Sequence, residues 1–237
     1  MTNGQVQIDG IVLSKVKAIA AGRANRLALK EDGTITAFGA YNGQDKINVP
    51  SGLSNVVAVA TGESYGLALK SNGTVTTWGA TTDLTAISNA IAIATGKDWG
   101  SHDLALQKDG TVLEWDNRNG IPKTVPGLSN VVAISSGDEC LALLKSGHVV
   151  EWWGETNHLV SINGDILTNV TAIASGTGFD LALKKDGTVA AWGGTYGGLF
   201  PTVVPAGLSN VVAIAAGGNY CLAITTNSAV AEKFRQK

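Results

Sequence analysis

The apolar heptapeptide LSNVVAI stands at Leu128 and again at Leu208, and variants of it recur as LSKVKAI at Leu13, LSNVVAV at Leu53, ISNAIAI at Ile87 and LTNVTAI at Leu167. A return about every 40 residues means that one supersecondary unit has been copied, and a unit too small to bury its own apolar face must stack on its neighbours. Inside each copy the order is constant. The apolar run closes on a glycine (Gly22, Gly62, Gly96, Gly137, Gly176 or Gly217), variable residues follow, and then comes LAL or LAI. Next stands Asp32-Gly33, Asn72-Gly73, Asp109-Gly110, Ser146-Gly147 or Asp186-Gly187, dipeptides that accept positive φ in a two-residue hairpin. A β-branched stretch then ends in an aromatic, namely Phe38, Trp78, Trp115, Trp153 or Trp192.

Each copy therefore reads as strand A (such as 56–60), strand B (65–70), strand C (74–78) and a weaker strand D (47–49). Strand A is apolar on both faces, so layers on either side must cover it, and neighbouring copies supply them. Four-stranded antiparallel blades repeated radially make a propeller. The expected fold is all-β: a single six-bladed β-propeller domain over residues 1–237, its repeats beginning near 13, 53, 87, 128, 167 and 208. A seven-bladed or open arrangement is the alternative. The sixth copy offers strand A, strand B and a degenerate strand C near 229–234, while Asn3-Gly4-Gln5 repeats the Asn42-Gly43-Gln44 that leads into strand D of the first copy. Residues 1–10 are thus expected to close the ring, with 5–9 as the outer strand of the last blade.

The charge balance narrows the partners. With 17 Lys and Arg against 19 Asp and Glu and no long run of either sign, nothing is arranged to hold a phosphate backbone, so nucleic acid is not expected. Residues 1–20 lack the pattern of a signal peptide and no run of 18 apolar residues occurs, which predicts no membrane insertion and a cytoplasmic chain or the mature portion of an exported one. Cys140 and Cys221 occupy the same place two copies apart. A disulfide needs Cα atoms within about 7 Å, so both are expected to be free, buried thiols.

Taken together, the succession GxxxxLAL, DG, W-G, NGQ and LSNVVAI resembles the repeat of the regulator of chromosome condensation family over nearly the whole chain. The short repeat and minimal loops are similar to its bacterial branch, which includes propeller-type β-lactamase inhibitors. The resemblance implies a scaffold that binds proteins through the loops of its blades, and it implies no particular partner. Six copies depart from the seven blades of those relatives.

In an antiparallel meander the A-to-B and C-to-D loops share one face and the Asp-Gly turns lie on the other. The turns are nearly uniform; the A-to-B loops are not. They carry Arg23 and Arg26, Glu63 and Tyr65, Asp98, Trp99 and His102, Asp138 and Glu139, Phe179, and Tyr220. The C-to-D loops add Tyr41, Arg118, Trp152 and Tyr196. A constant frame with variable, aromatic-bearing loops suits contact with a folded protein, because rigid aromatics bury area at little entropic cost. A glycan or cell-surface receptor, bound by a module of a larger phage or toxin assembly, is the second class of partner. Catalysis and cofactors are not expected. Ser101-His102-Asp103 spells a triad, yet consecutive residues cannot aim at one point. His148 and His158 fall in different loops, so no metal site is expected, and nothing in the sequence converges on Asp138-Glu139.

Overall fold

The computed structural model describes residues 7–8, 11–23, 25–39, 48–79, 84–96, 102–116, 120–154, 156–194, 202–218, 220–226 and 232–234. Among these residues there is no helix, and each copy of the repeat forms one antiparallel sheet of three or four strands in simple meander order. The sheets comprise Val16–Ala21, Asn25–Lys30 and Ile35–Gly39; Val56–Thr61, Gly66–Lys70 and Val75–Trp78; Ala90–Ala94, His102–Gln107, Val112–Asp116 and Lys123–Thr124; Val131–Ser136, Cys140–Leu144, Val149–Trp153 and Thr156–Leu159; Val170–Ser175, Phe179–Lys184 and Val189–Gly193; and Val211–Ala216, Cys221–Thr225 and Glu232–Phe234. Strand D is thus present in the third and fourth copies. In the first, Asn48 and Val49 are not in a strand, and residue 47 lies outside the described residues.

The local geometry explains the repeated residues. Asn55, Asn89, Asn130, Asn169 and Asn210, the Asn of each LSN-type run, adopt φ between 55° and 60°, a left-handed conformation that asparagine tolerates better than most side chains. Their carbonyls accept the backbone N–H of Ser71, Lys108, Lys145, Lys185 and Thr226, where strand B ends, at 2.8 to 3.1 Å. In the first copy Lys15 takes this strained position, with φ 55°. The register then slips at Val56/Ala58, Val131/Ala133, Val170/Ala172 and Val211/Ala213. This bulge turns Val57, Val132 and Val212 out to solvent. Strand A is therefore not apolar and covered on both faces throughout, as its composition suggested.

The Asp-Gly turn is a three-residue hairpin loop rather than a two-residue one. Lys30 N–H donates to the Thr34 carbonyl and Gly33 N–H to the Lys30 carbonyl, so only Gly33, with φ 79°, is left-handed: a type I turn with a bulge. Asp32 Oδ1 accepts from both the backbone N–H and Oγ1 of Thr34, at 2.9 and 2.6 Å. Asp109 and Asp186 repeat the pattern with Thr111 and Thr188, and in the fourth copy Ser146 Oγ pairs with His148 Nδ1 at 2.9 Å in its place. These turns also join copies: Gly73, Gly110, Gly147 and Gly187 carbonyls accept from Ala90, Val131, Val170 and Val211, the first strand residues of the following sheets. A turn that must close one sheet and hold the next has little freedom to vary.

The core lies between successive sheets. Leu104 and Leu106 of the third copy pack with Val131, Cys140, Ala142 and Trp152 of the fourth, and Leu27 and Leu29 of the first with Val56, Ala68 and Trp78 of the second. Leucines buried this fully cost about 2–5 kcal/mol when truncated to alanine. The two ends differ. Ile19 in the first sheet is 76% exposed and Ile224 in the sixth is 50% exposed, whereas Leu29, Leu69, Leu106, Leu143 and Leu183, which stand where Ile224 does, are buried. Gln7–Ile8 pairs with Ile11–Val12, and among the described residues the last sheet ends at Glu232–Phe234. Cys140 and Cys221 are free and buried, as expected.

Candidate binding face

Strand A leads into the variable loops through a glycine because neighbouring copies converge there. A Cβ on Gly137 would stand 2.1 Å from the Gly176 carbonyl oxygen and 2.5 Å from Ser175 Oγ, so no side chain fits. Loop and neighbour are then stitched together: Asp138 N–H donates to the Gly176 carbonyl and Ser175 Oγ to the Glu139 carbonyl at 3.0 Å.

From that rim each strand B starts with two residues whose side chains decide what lies between adjacent sheets. At the second and third copies Tyr65 OH donates to Asp103 Oδ1 at 2.6 Å, and both are buried. Desolvation pushes the Asp103 carboxyl up to about 7, against the opposing hydrogen bonds from Tyr65, Gly96 and Trp115. At the third and fourth copies His102 Nδ1 pairs with Glu114 Oε1, and this hydrogen bond raises the imidazole's affinity for its proton. Cys140 Sγ lies 3.9 Å from the same Glu114 oxygen, and burial pushes that thiol well up, so it is inert as a nucleophile at neutral pH. At the fourth and fifth copies three carboxylates meet: Glu139, Glu151 and Asp180 place oxygens within 4.8 Å of one another. Burial raises both Glu139 and Asp180; the hydrogen bond and charge of Glu151 raise Glu139 further, and the charges of Glu139 and Glu151 raise Asp180 against a lowering hydrogen bond from Ser175. Trp192 Nε1 donates to Glu151 Oε2 at 2.5 Å, and His158 Nε2 stands 3.9 Å from Glu151 Oε1. At the fifth and sixth copies the same two places hold Phe179 and Cys221, an apolar pair.

The residues expected at the rim divide accordingly. Arg23, Arg26 and Tyr220 are exposed, Tyr220 at 43%. His102, Asp138 and Glu139 are half-buried. Tyr65, Phe179 and Trp152 are buried, a correction to their placement on the partner surface: the residue two before LAL points between the sheets and fills the junction. Glu63 is buried as well, its Oε1 held by Arg23 Nη1 at 3.0 Å, so this acid neutralises a neighbour rather than facing solvent. Tyr41, Asp98, Trp99, Arg118 and Tyr196 lie outside the described residues.

The adjoining tryptophans are resolved by register. Cys140 pairs with Trp152, as Asp103 pairs with Trp115 and Asp180 with Trp192, so Trp152 and not Trp153 is the frame aromatic. Trp153 is 76% exposed at the loop end of strand C. The signal was available, since Trp78, Trp115, Trp152 and Trp192 each stand five residues after the turn glycine. Below Trp152 a groove lined by His102, Glu114, Lys123, Pro126, Gly154 and Asn157 runs between the third and fourth sheets.

No protein-family model matches the sequence, and no curated protein matches it. Solved structures are similar to it. Yeast RCC1 (Prp20), in its crystal structure bound to Kap60, superposes with a TM-score of 0.73 at 20% identity, over 93% of this chain and 70% of that one. Prp20p from Saccharomyces cerevisiae, described with its binding to Gsp1p and histones, gives 0.72 at 19% identity over 93% and 72%. The CRINKLY WD40 ectodomain of the Arabidopsis thaliana receptor kinase ACR4 gives 0.67 at 17% identity over 93% and 81%. At these identities the likeness shows the fold, an RCC1-like β-propeller.

Proposed function

We propose that the chain is a non-catalytic scaffold that docks a folded protein on the face carrying the A-to-B loops. The observation that carries this reading is the contrast between the two ends of the strands. At one end the Asp-Gly turns repeat the same hydrogen bonds copy after copy. At the other, five junctions built on the same backbone hold different chemistry, and the residues that reach solvent beside them are Arg23, Arg26, Trp153 and Tyr220. Aromatic and arginine side chains on a rigid rim are the composition of protein-binding hot spots. The engagement of Kap60, Gsp1p and histones by the yeast propeller supports the idea that such a face serves protein contacts. On this reading the six copies form one closed propeller with no cofactor, acting as an inhibitor or an adaptor.

The test is site-specific photocrosslinking in extract of the source cell, with the crosslinker at Tyr220 or Trp153 and, as control, at Asp109 on the turn face. Adducts of one mass from the first two positions and none from the third are expected. Adducts from Asp109 alone would move the docking face, and adducts from no position, with a glycan array positive, would replace the protein by a sugar.

A further inference from the structure

We propose that Glu139, Glu151 and Asp180 bind a hard divalent cation, calcium in preference to magnesium, between the fourth and fifth copies. The site is independent of the docking reading above.

Geometry is the first support. Three carboxylates from three segments of chain, just before strand B and in the middle of strand C in the fourth copy and near the start of strand B in the fifth, place oxygens within 4.8 Å of one another. Calcium accepts an irregular set of carboxylate oxygens, whereas magnesium demands near-ideal octahedral geometry and gives up its water reluctantly, so a partly buried cluster drawn from separate segments suits calcium better. An all-oxygen donor set also selects calcium or magnesium over the softer metals.

A second observation points to a missing ligand. Asp180 is 2% exposed and its Oδ1 has no hydrogen-bond donor. An uncompensated buried oxygen of this kind is costly to keep. Among the described residues His158 alone forms an ion pair with any of the three, and at 3.9 Å from an exposed ring it offsets at most one charge. Trp192 fixes one oxygen of Glu151 by its indole N–H and leaves Oε1 for a metal, the way an outer hydrogen bond orients a ligating carboxylate. Glu139 is half-buried, so a cation has a way in and can keep water in its remaining coordination positions.

Trp192 also supplies the readout. Terbium, a luminescent stand-in for calcium, is sensitised by an indole a few ångströms away. Titrated into the full chain freed of metal by chelator, terbium should give saturable luminescence excited through tryptophan, reversed by calcium and far less by magnesium. Asp180→Asn and, separately, the half-exposed Glu139→Gln should each weaken it by roughly tenfold or more. Glu114→Gln, which alters the same place of the repeat in the third copy, should leave it unchanged. Circular dichroism of each variant guards against misfolding, and two ligand variants keep the test usable if one fails to fold. Absence of saturable luminescence, equal loss in Glu114→Gln, or saturation by magnesium or zinc with no displacement by calcium would overturn the site.

Discussion

Two junctions use the same pair of places to opposite effect. Between the second and third copies Tyr65 and Asp103 meet as donor and acceptor, and between the fourth and fifth Glu139 and Asp180 meet as acid and acid. Backbone and register are alike, so the difference is made by side chains: a phenol gives Asp103 a hydrogen bond to accept, while Glu139 and Glu151, the latter standing where the second copy has Thr77, give Asp180 none unless one of them is protonated. Ring packing is thus separable from junction chemistry. The frame needs Asn at positive φ, a glycine where strands converge and a Leu on either side of Ala; the junction needs only something that fits.

The largest effect that could break this contrast is pH dependence. Asp103 is raised in the folded state from an ordinary 3.8 to about 7 by burial, so the folded chain holds a proton that the unfolded chain has released. Its stability contribution is then fullest below about 4, falls as the pH climbs to about 7, and is flat above, a change on the order of 4 kcal/mol at the upper bound. Asp103→Asn keeps an acceptor for Tyr65 and cannot ionise, so its stability relative to the unsubstituted chain should rise across that interval. Denaturant titrations at several pH values in chelator check it; a constant difference would show that Asp103 does not titrate in the window.

Tyr65→Phe comes next. It leaves the Asp103 oxygen buried without its phenol and should cost about 1–3 kcal/mol by denaturant unfolding, whereas Phe179→Tyr, made beside Cys221, has no acceptor to satisfy and should not stabilise. If Tyr65→Phe were neutral, the hydrogen bond would not be what distinguishes the junctions.

Between the first and second copies a third solution is on show. Arg23 reaches across to buried Glu63, with the guanidinium side chain 56% exposed. Because half of the pair sits in water, Arg23→Ala should cost only about 1 kcal/mol, and that cost should persist in high salt because Glu63 stays buried.

The smallest effect tests the frame. Lys15 is the single copy of the left-handed LSN position that is not asparagine. Lys15→Asn should raise stability by about 0.5 kcal/mol, visible as a small rise in melting temperature, and no change would mean that the asparagines elsewhere are held for another reason.

The frame was legible in the sequence because backbone geometry dictates it within a single copy: Asn210, Gly187 and Leu181 can be read where they stand. The junctions were not, because their partners lie about one repeat apart and their meeting depends on which way each side chain faces. Glu139 looked like rim charge beside Asp138 until the fold brought Glu151 and Asp180 to it, and Tyr65 and Phe179 looked like surface anchors until strand pairing turned them inward. Exposed Trp153 resembles the frame aromatic in sequence because a glycine follows it, as one follows Trp78 and Trp192.

The equivalence of the two junctions is tested most directly by making one into the other with Glu139→Tyr. The introduced phenol removes one of three crowded carboxylates and can donate to Asp180 as Tyr65 does to Asp103. Unfolding by denaturant at neutral pH in chelator should show a gain of about 1 kcal/mol, with terbium binding lost. A chain less stable than the unsubstituted one would contradict the equivalence, because it would show that the junction chemistry is fixed by its local surroundings and not by the two places that every copy shares.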